Sequence, residues 1–180
     1  APPYRLLFLG RWHPNKGIDL LLDALARLSE QDWLRIEAVE ICGGGPLEAE
    51  VERGVEALQS TGRPVVLRGY LDKPTAEDAI LRADYLLLPS RIESIPVVFS
   101  DALKLGCPVL STPVGDLPGL LDRSEPAGLL ADDVSASAYA QMLSAALNRS
   151  PAGFKEGVEH TLTMFDMETG VARLLAGMAG

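Results

Sequence analysis

Residues 4–25 read YRLLFLGRWHPNKGIDLLLDAL, and a change of rhythm inside this stretch decides the fold. Tyr4 to Leu9 is a compact apolar run that ends at Gly10. From Ile18 onward the apolar residues fall at Ile18, Leu21, Leu22, Leu25 and Leu28, the i, i+3, i+4, i+7 spacing of an amphipathic helix. A strand that is apolar throughout, rather than alternating, suits a parallel sheet covered on both faces. Between the two lies a polar loop, Gly10-Arg11-Trp12-His13-Pro14-Asn15-Lys16-Gly17. The unit is strand, loop, helix.

The unit recurs down the chain. Ile36 to Cys42 reads as a second strand, stopped by Gly43-Gly44-Gly45-Pro46, with a helix over Leu47 to Leu58. Pro64 to Leu67 is a third strand closed by Gly69, and Ala76 to Ala83 a short helix. Tyr85 to Leu88 is a fourth strand ended by Pro89. Pro96 suits the first turn of the next helix, which runs to about Leu105, where Gly106 is a natural stop. Val109-Leu110 and Gly128 to Leu130 are the fifth and sixth strands, and helices are expected over Ser135 to Leu147 and Asp166 to Met178. Thr112 to Pro126 is the least regular stretch. Repeated β-α units predict an α/β fold: a Rossmann-like, doubly wound parallel sheet in three α/β/α layers. One domain is expected over residues 1–180, with 160–180 as its terminal helix.

Bulk properties narrow the function. Of 180 residues, 47% are apolar and 23% charged, a globular composition. Sixteen Lys and Arg against 25 Asp and Glu give a net charge of −9. That argues against a non-specific nucleic-acid or anionic-membrane binder, which needs a basic face, yet leaves room for a small anionic ligand held by a few local cations. Cys42 and Cys107 fit no metal or redox spacing and read as two buried, reduced thiols. No apolar run approaches the ~20 residues that span a membrane, and no secretory pattern is present. A cytoplasmic location is expected, with membrane association of a whole protein left open. The chain opens Ala1-Pro2-Pro3 without an initiating Met, so a longer polypeptide is expected.

In doubly wound folds ligands bind beyond the carboxyl ends of the strands, so the residues just after each strand carry the chemistry. After the first come Arg11 and Lys16, flanking a turn that feeds a helix N-terminus. Free backbone N–H groups there favour an anion, and the two cations add to it. They read as a diphosphate clamp, Arg offering a fork and Lys a point charge, or equally as two solvated loop cations. After the second strand, Gly43 to Gly45 falls short of a full G-x-G-x-x-G fingerprint; it is either a site of close backbone approach to a ligand or a tight strand-to-helix turn. Glu93 and Asp101 flank the start of the helix after the fourth strand. Carboxylates there accept hydrogen bonds from vicinal diols, as in a sugar or ribose; the alternative is an exposed helix residue and a loop charge. His13 and His160 have no carboxylate motif beside them, Trp12 and Trp33 read as packing residues, and no metal site or Ser-His-Asp triad is indicated.

Taken in order, Phe8-Leu9-Gly10-Arg11 with Lys16-Gly17 and Leu20-Leu21-Leu22-Asp23-Ala24, then Ile41-Cys42-Gly43-Gly44-Gly45-Pro46, then Leu88-Pro89-Ser90-Arg91-Ile92-Glu93-Ser94-Ile95-Pro96 with Asp101-Ala102-Leu103 and Gly106-Cys107-Pro108-Val109, resemble the group 1 (family 4) glycosyltransferases of the two-domain GT-B fold. The match is to their C-terminal, donor-binding domain, from about Tyr4 to Ala131. The last segment corresponds to its E-x7-E signature. The resemblance implies that Arg11 and Lys16 hold the donor diphosphate and share catalysis with Glu93, which faces the transferred sugar near the backbone of Ser94, Ile95, Pro96 and Val97. It implies that Asp101 takes the ribose hydroxyls, that Gly43, Gly44 and Gly45 form a glycine-proline turn at the donor, and that Arg68, Gly69 and Tyr70 border the base. The donor is expected to be a nucleotide sugar, UDP-linked first and GDP- or ADP-linked next, with retention of configuration and no tightly bound cofactor or metal. The acceptor would sit on an N-terminal domain of the same polypeptide.

Three departures stand out. Asp101 occupies the position of a usual Glu, Ser94 replaces a usual Gly, and Gly115-Asp116-Leu117-Pro118-Gly119 stands where the family often has two glycines followed by Glu. They keep a non-catalytic sugar-nucleotide-binding module open as an alternative. A dinucleotide-dependent oxidoreductase or epimerase has only the Gly43 cluster for support.

Overall fold

The computed structural model describes residues 1–93 and 95–179. Six strands alternate with helices: β1 (Tyr4–Arg11), α1 (Ile18–Ala26), α2 (Glu30–Trp33), β2 (Ile36–Gly44), α3 (Glu48–Ser60), β3 (Val65–Arg68), α4 (Lys73–Arg82), β4 (Tyr85–Leu88), α5 (Val97–Lys104), β5 (Val109–Ser111), α6 (Leu117–Leu121), β6 (Gly128–Leu130), α7 (Ala136–Leu147) and α8 (Lys155–Met178). The strands form one sheet in the order β3-β2-β1-β4-β5-β6, every neighbouring pair parallel. This is the expected doubly wound sheet. The chain winds outward one way from β1, then returns to place β4 on β1's other side, with Leu6 opposite Tyr85 and Leu7 opposite Leu86. The reversal between β1 and β4 is the switch point at which such sheets bind ligands.

Burial on both faces explains the unbroken apolar strands. All four residues of β4 are buried. Ile18, Leu21, Ala24 and Leu25 of α1 are fully buried, and α1 packs on α3 and α7 while α5 packs on α8. Burying a Leu or Ile side chain contributes roughly 1.5–3 kcal/mol, so the core supplies most of the drive to fold. Two buried tyrosines carry polar tips with partners. The Tyr139 hydroxyl donates to Leu110 O at 2.7 Å and accepts from Leu88 N at 3.1 Å, tying the ends of β4 and β5 together. The Tyr85 hydroxyl lies 3.2 Å from both Ala146 O and Arg149 O. Burial pushes both phenols well above their usual range.

Several boundaries differ from expectation. β2 continues through Gly43 and Gly44, which stay in register with Gly10 and Arg11; the stop falls at Gly45. α4 begins at Lys73 rather than Ala76, because Asp72 caps it by accepting from Thr75 N at 2.9 Å and Pro74 fits its first turn. α8 begins at Lys155 rather than Asp166. Short helices α2 and α6 were not expected. α2 forms through a capping box in which Ser29 and Asp32 satisfy each other's backbone N–H groups. α6 gives the irregular stretch a buried apolar turn through Leu117, Leu120 and Leu121. Among the described residues no helix is long and apolar enough to cross a membrane.

Candidate functional site

The loops after β1, β2, β3 and β4 converge on one edge of the sheet, around a cleft of about 620 Å³. Gly10 and Arg11 come from β1, Cys42 and Gly43 from β2, Tyr70 and Leu71 from the segment after β3, Lys73 and Glu77 from α4, and Val97, Val98 and Asp101 from α5. A smaller hollow of about 270 Å³ adjoins it, sharing Leu9, Gly10, Val97 and Val98 and adding Lys16, Ser90, Glu93 and Pro96. Of the sequence-predicted residues, Arg11, Gly43, Tyr70, Val97 and Asp101 thus meet at the larger cavity and Lys16, Glu93, Pro96 and Val97 at the smaller.

Two glycines make this convergence sterically feasible. Gly43 has φ +146°, and a Cβ there would sit 1.9 Å from Gly10 O. Gly17 has φ +70°, and its Cβ would sit 1.8 Å from Pro89 O. Only glycine lets the loop after β1 lie against the loop after β4.

The smaller hollow is dominated by one ion pair. Lys16 Nζ bonds Glu93 Oε1, and the Ser90 hydroxyl donates to the same oxygen at 3.0 Å. The Glu93 side chain is 8% exposed and that of Lys16 37%. A carboxylate so enclosed needs partners, and these two donors supply them. Ser90 is itself buried, and its carbonyl accepts the Thr112 hydroxyl.

The larger cleft holds charges without side-chain partners. Among the described residues, Arg11 and Asp101 make no side-chain hydrogen bond or ion pair, and both line the cavity. Val97 and Val98 open α5, whose first turn has neither a side-chain cap nor an acidic residue. The first N–H groups of a helix have no intrahelical acceptor and concentrate positive potential. An anion entering the cleft therefore meets a free guanidinium and a bare helix N-terminus, while Asp101 offers an acceptor nearby. Tyr70, 72% exposed, is fixed by its hydroxyl donating to Gly44 O at 2.7 Å, so its ring forms one wall. The Cys42 thiol is in the floor, pushed up to about 11 by burial and then by the Glu40 charge.

Other predicted residues lie elsewhere. Arg68 Nε is 3.3 Å from Glu40 Oε2 on β2, an ion pair without hydrogen-bond alignment, and Arg68 is not among the cleft-lining residues. Gly44 backs Tyr70 and accepts Trp12 N through its carbonyl at 2.8 Å. Gly45 turns the chain at φ +152°, Gly69 has open space where a Cβ would be, and Ile95 packs on the core. Ser94 lies outside the described residues. Sequence reading missed Ser90, Lys73 and Glu77. The last two have a visible signal, because Asp72-Lys73-Pro74 reads as a helix start that puts both, four residues apart, on one face. Trp12 and Trp33 are core residues, and both cysteines are buried and free. His13 accepts Asn15 N at its Nδ1, 3.1 Å away, capping the turn before Lys16. Among the described residues no group of three or more His, Cys, Asp or Glu could hold a metal ion.

The architecture defines a doubly wound α/β domain with an anion-suited cleft at its switch point. The chain belongs to the glycosyl transferases group 1 family, whose model matches residues 3–149. It is 35% identical over 152 residues to a D-inositol 3-phosphate glycosyltransferase of Jonesia denitrificans, covering 79% of this chain and 34% of that protein. The corresponding enzyme of Corynebacterium glutamicum is 34% identical over 163 residues, covering 87% of this chain and 38% of its own. Among solved structures, Anabaena HepE in complex with UDP superposes with TM-score 0.74 at 18% identity, covering 97% of this chain and 49% of that one. Sucrose-phosphate synthase from Thermosynechococcus elongatus gives 0.72 at 23% identity, covering 100% and 47%. The chain thus spans about a third of the length of these relatives and about half that of the solved chains. The likeness in fold is to GT-B glycosyltransferases.

Proposed function

We propose that this chain is the donor-binding domain of a retaining glycosyltransferase and that its cleft takes a nucleoside diphosphate sugar. The observation that carries the reading is that Arg11 and Asp101, neither with a side-chain partner among the described residues, face the same cavity as the bare N-terminus of α5. A diphosphate bound there bridges the Arg11 guanidinium and the first N–H groups of α5, which do the work of a metal in neutralising the leaving group. Asp101 accepts from the ribose diol. Tyr70 flanks the base. Lys16 and Glu93 occupy the adjoining hollow, where the transferred sugar and the bond to be broken would lie.

Lys16 is held by Glu93. Arrival of the diphosphate offers Lys16 a second anion, which competes with Glu93 for the ammonium. Glu93 then keeps an acceptor directed at the sugar hydroxyls. UDP is the favoured nucleotide: HepE has been solved with UDP and with UDP-glucose. The acceptor site belongs to a domain beyond this chain, so the isolated domain binds nucleotide weakly and transfers nothing. The apolar stripe of α8, with Met167, Val171, Leu174, Leu175 and Met178 all exposed, is the surface that such a domain would cover. The two buried free thiols suit a cytoplasmic, reducing compartment.

Calorimetric titration with UDP, GDP, ADP, their sugar conjugates and NAD, repeated on Arg11→Ala and Lys16→Ala, tests the reading. One nucleoside diphosphate should bind saturably, and both variants should lose it. Binding of NAD in preference to every nucleoside diphosphate would sink the proposal. The non-catalytic alternative draws on Asp101, one methylene shorter than the usual Glu, and turnover by a full-length protein would remove it.

A further inference from the structure

We infer that Arg91 and Asp19 form a positioning clamp that sets the spacing between the diphosphate-holding and sugar-facing halves of the cleft. The inference rests on the donor-binding reading above and adds two residues that touch no part of the cavity. The two halves come from loops on opposite sides of the switch point. Lys16 precedes α1, and Glu93 lies between β4 and α5. Among the described residues no strand pairing fixes one loop against the other, because the ladder between β1 and β4 pairs only Leu6 with Tyr85 and Leu7 with Leu86, before either loop.

Arg91 supplies the missing link. Its Nη1 donates to Asp19 Oδ1 at 2.7 Å and its Nη2 to Asp19 Oδ2 at 2.8 Å, a fork-to-carboxylate pair. Nη1 also donates to Pro14 O at 2.8 Å, and the Arg91 and Ile92 N–H groups both reach Asn15 O, at 2.9 and 3.3 Å. One side chain and two backbone donors thus grip Pro14, Asn15 and Asp19, on both sides of Lys16. Arg91 is two residues from Glu93, so the grip is applied at the base of both partners of the Lys16–Glu93 pair. Asp19 lies in the first turn of α1, where its charge also complements the helix dipole. The Arg91 hydrogen bond holds the Asp19 carboxyl below its usual range, so it stays ionised at neutral pH.

A plain surface ion pair predicts something different. The two side chains are 37% and 41% exposed, and pairs so exposed add little to global stability. A clamp acts instead through preorganisation: without it, binding must first order the two loops. The pair between Arg63 and Glu30 is the internal control. It too is a two-bond Arg–carboxylate fork, and neither residue lines the cleft or its adjoining hollow.

The test titrates the wild-type chain with UDP, GDP and ADP, and Arg91→Ala, Arg91→Lys, the swap Asp19→Arg with Arg91→Asp, and Arg63→Ala with UDP, with a thermal melt of each. Arg91→Ala should raise the UDP Kd by about tenfold, the scale of a lost charge-assisted contact, with a Tm loss no larger than that of Arg63→Ala. Arg91→Lys should recover only part of the affinity, having the charge without the fork. The swap should recover part as well, and Arg63→Ala should bind like wild type. If wild type binds UDP and Arg91→Ala binds it equally well, the clamp is wrong and the donor reading stands. If wild type binds no nucleoside diphosphate, the donor reading fails and the clamp with it. Should Arg91→Ala not fold, Arg91→Lys decides, and an unchanged Kd there overturns the clamp.

Discussion

Replacing Glu93 with Gln should make the chain bind UDP more tightly. Glu93→Gln keeps the shape and leaves a carbonyl oxygen to accept from Ser90, whose hydroxyl now bonds Oε1 at 3.0 Å. The change removes the charge that holds Lys16. With one partner 8% and the other 37% exposed, the pair lies between a solvated and a buried one. Its net hold on Lys16 is about 1 kcal/mol. A diphosphate no longer competing with it gains that amount, which is about fivefold in Kd. Removing an anion beside the incoming phosphates acts in the same direction. The assay is calorimetric titration at low salt, where electrostatic differences are largest, with UDP and UDP-glucose in parallel. UDP should tighten, UDP-glucose should tighten less because Glu93 is expected to accept from the sugar, and raising the salt should shrink both effects. An unchanged or weaker UDP affinity, with an unchanged melting temperature, would refute the idea that Glu93 restrains Lys16.

Two further outcomes test the scaffold. Tyr139→Phe removes a buried hydroxyl that bonds both Leu88 N and Leu110 O and should destabilise the chain by about 2 kcal/mol, read by denaturant melts. Leu174→Glu with Leu175→Glu changes two side chains that are 68% and 62% exposed on α8; stability of this chain should stay within about 0.5 kcal/mol for each substitution, and a large loss would show that the α8 stripe is packed within the domain.

The sheet was legible because its strands are buried on both faces, which writes them as short apolar runs. α1, α3 and α7 were legible from the 3.6-residue spacing of their one buried face, whereas the first turns of α8, from Lys155, were not. α2 was not, since four residues are too few for periodicity, and only the Ser29/Asp32 reciprocity marks it. α6 owes its turn to tertiary burial of Leu117, Leu120 and Leu121 around Pro118 and Gly119, residues that locally argue for a loop. Of the site, Arg11, Gly43 and Glu93 could be found from their places just beyond the apolar runs. Arg68 has the same kind of place, but the buried carboxylate of Glu40 on the neighbouring strand lies beside its guanidinium, and no local pattern reveals that. Arg91 and Asp19 are 72 positions apart, and only the sheet's winding brings them together.

The pairing of β1 with β4 also has a kinetic meaning. Leu6 and Leu7 must wait for Tyr85 and Leu86 to be docked, so the contact that closes the cleft spans nearly half the chain and carries a large loop-closure penalty. A partly folded species built from β1, β2 and β3 alone has a glycine-lined edge but no Glu93 loop and no α5 to face it. Nucleotide would find nothing complete to bind in such a species. A ligand added during refolding should therefore leave the early, local steps untouched and act only on the last one, slowing unfolding of the finished domain without hastening its formation.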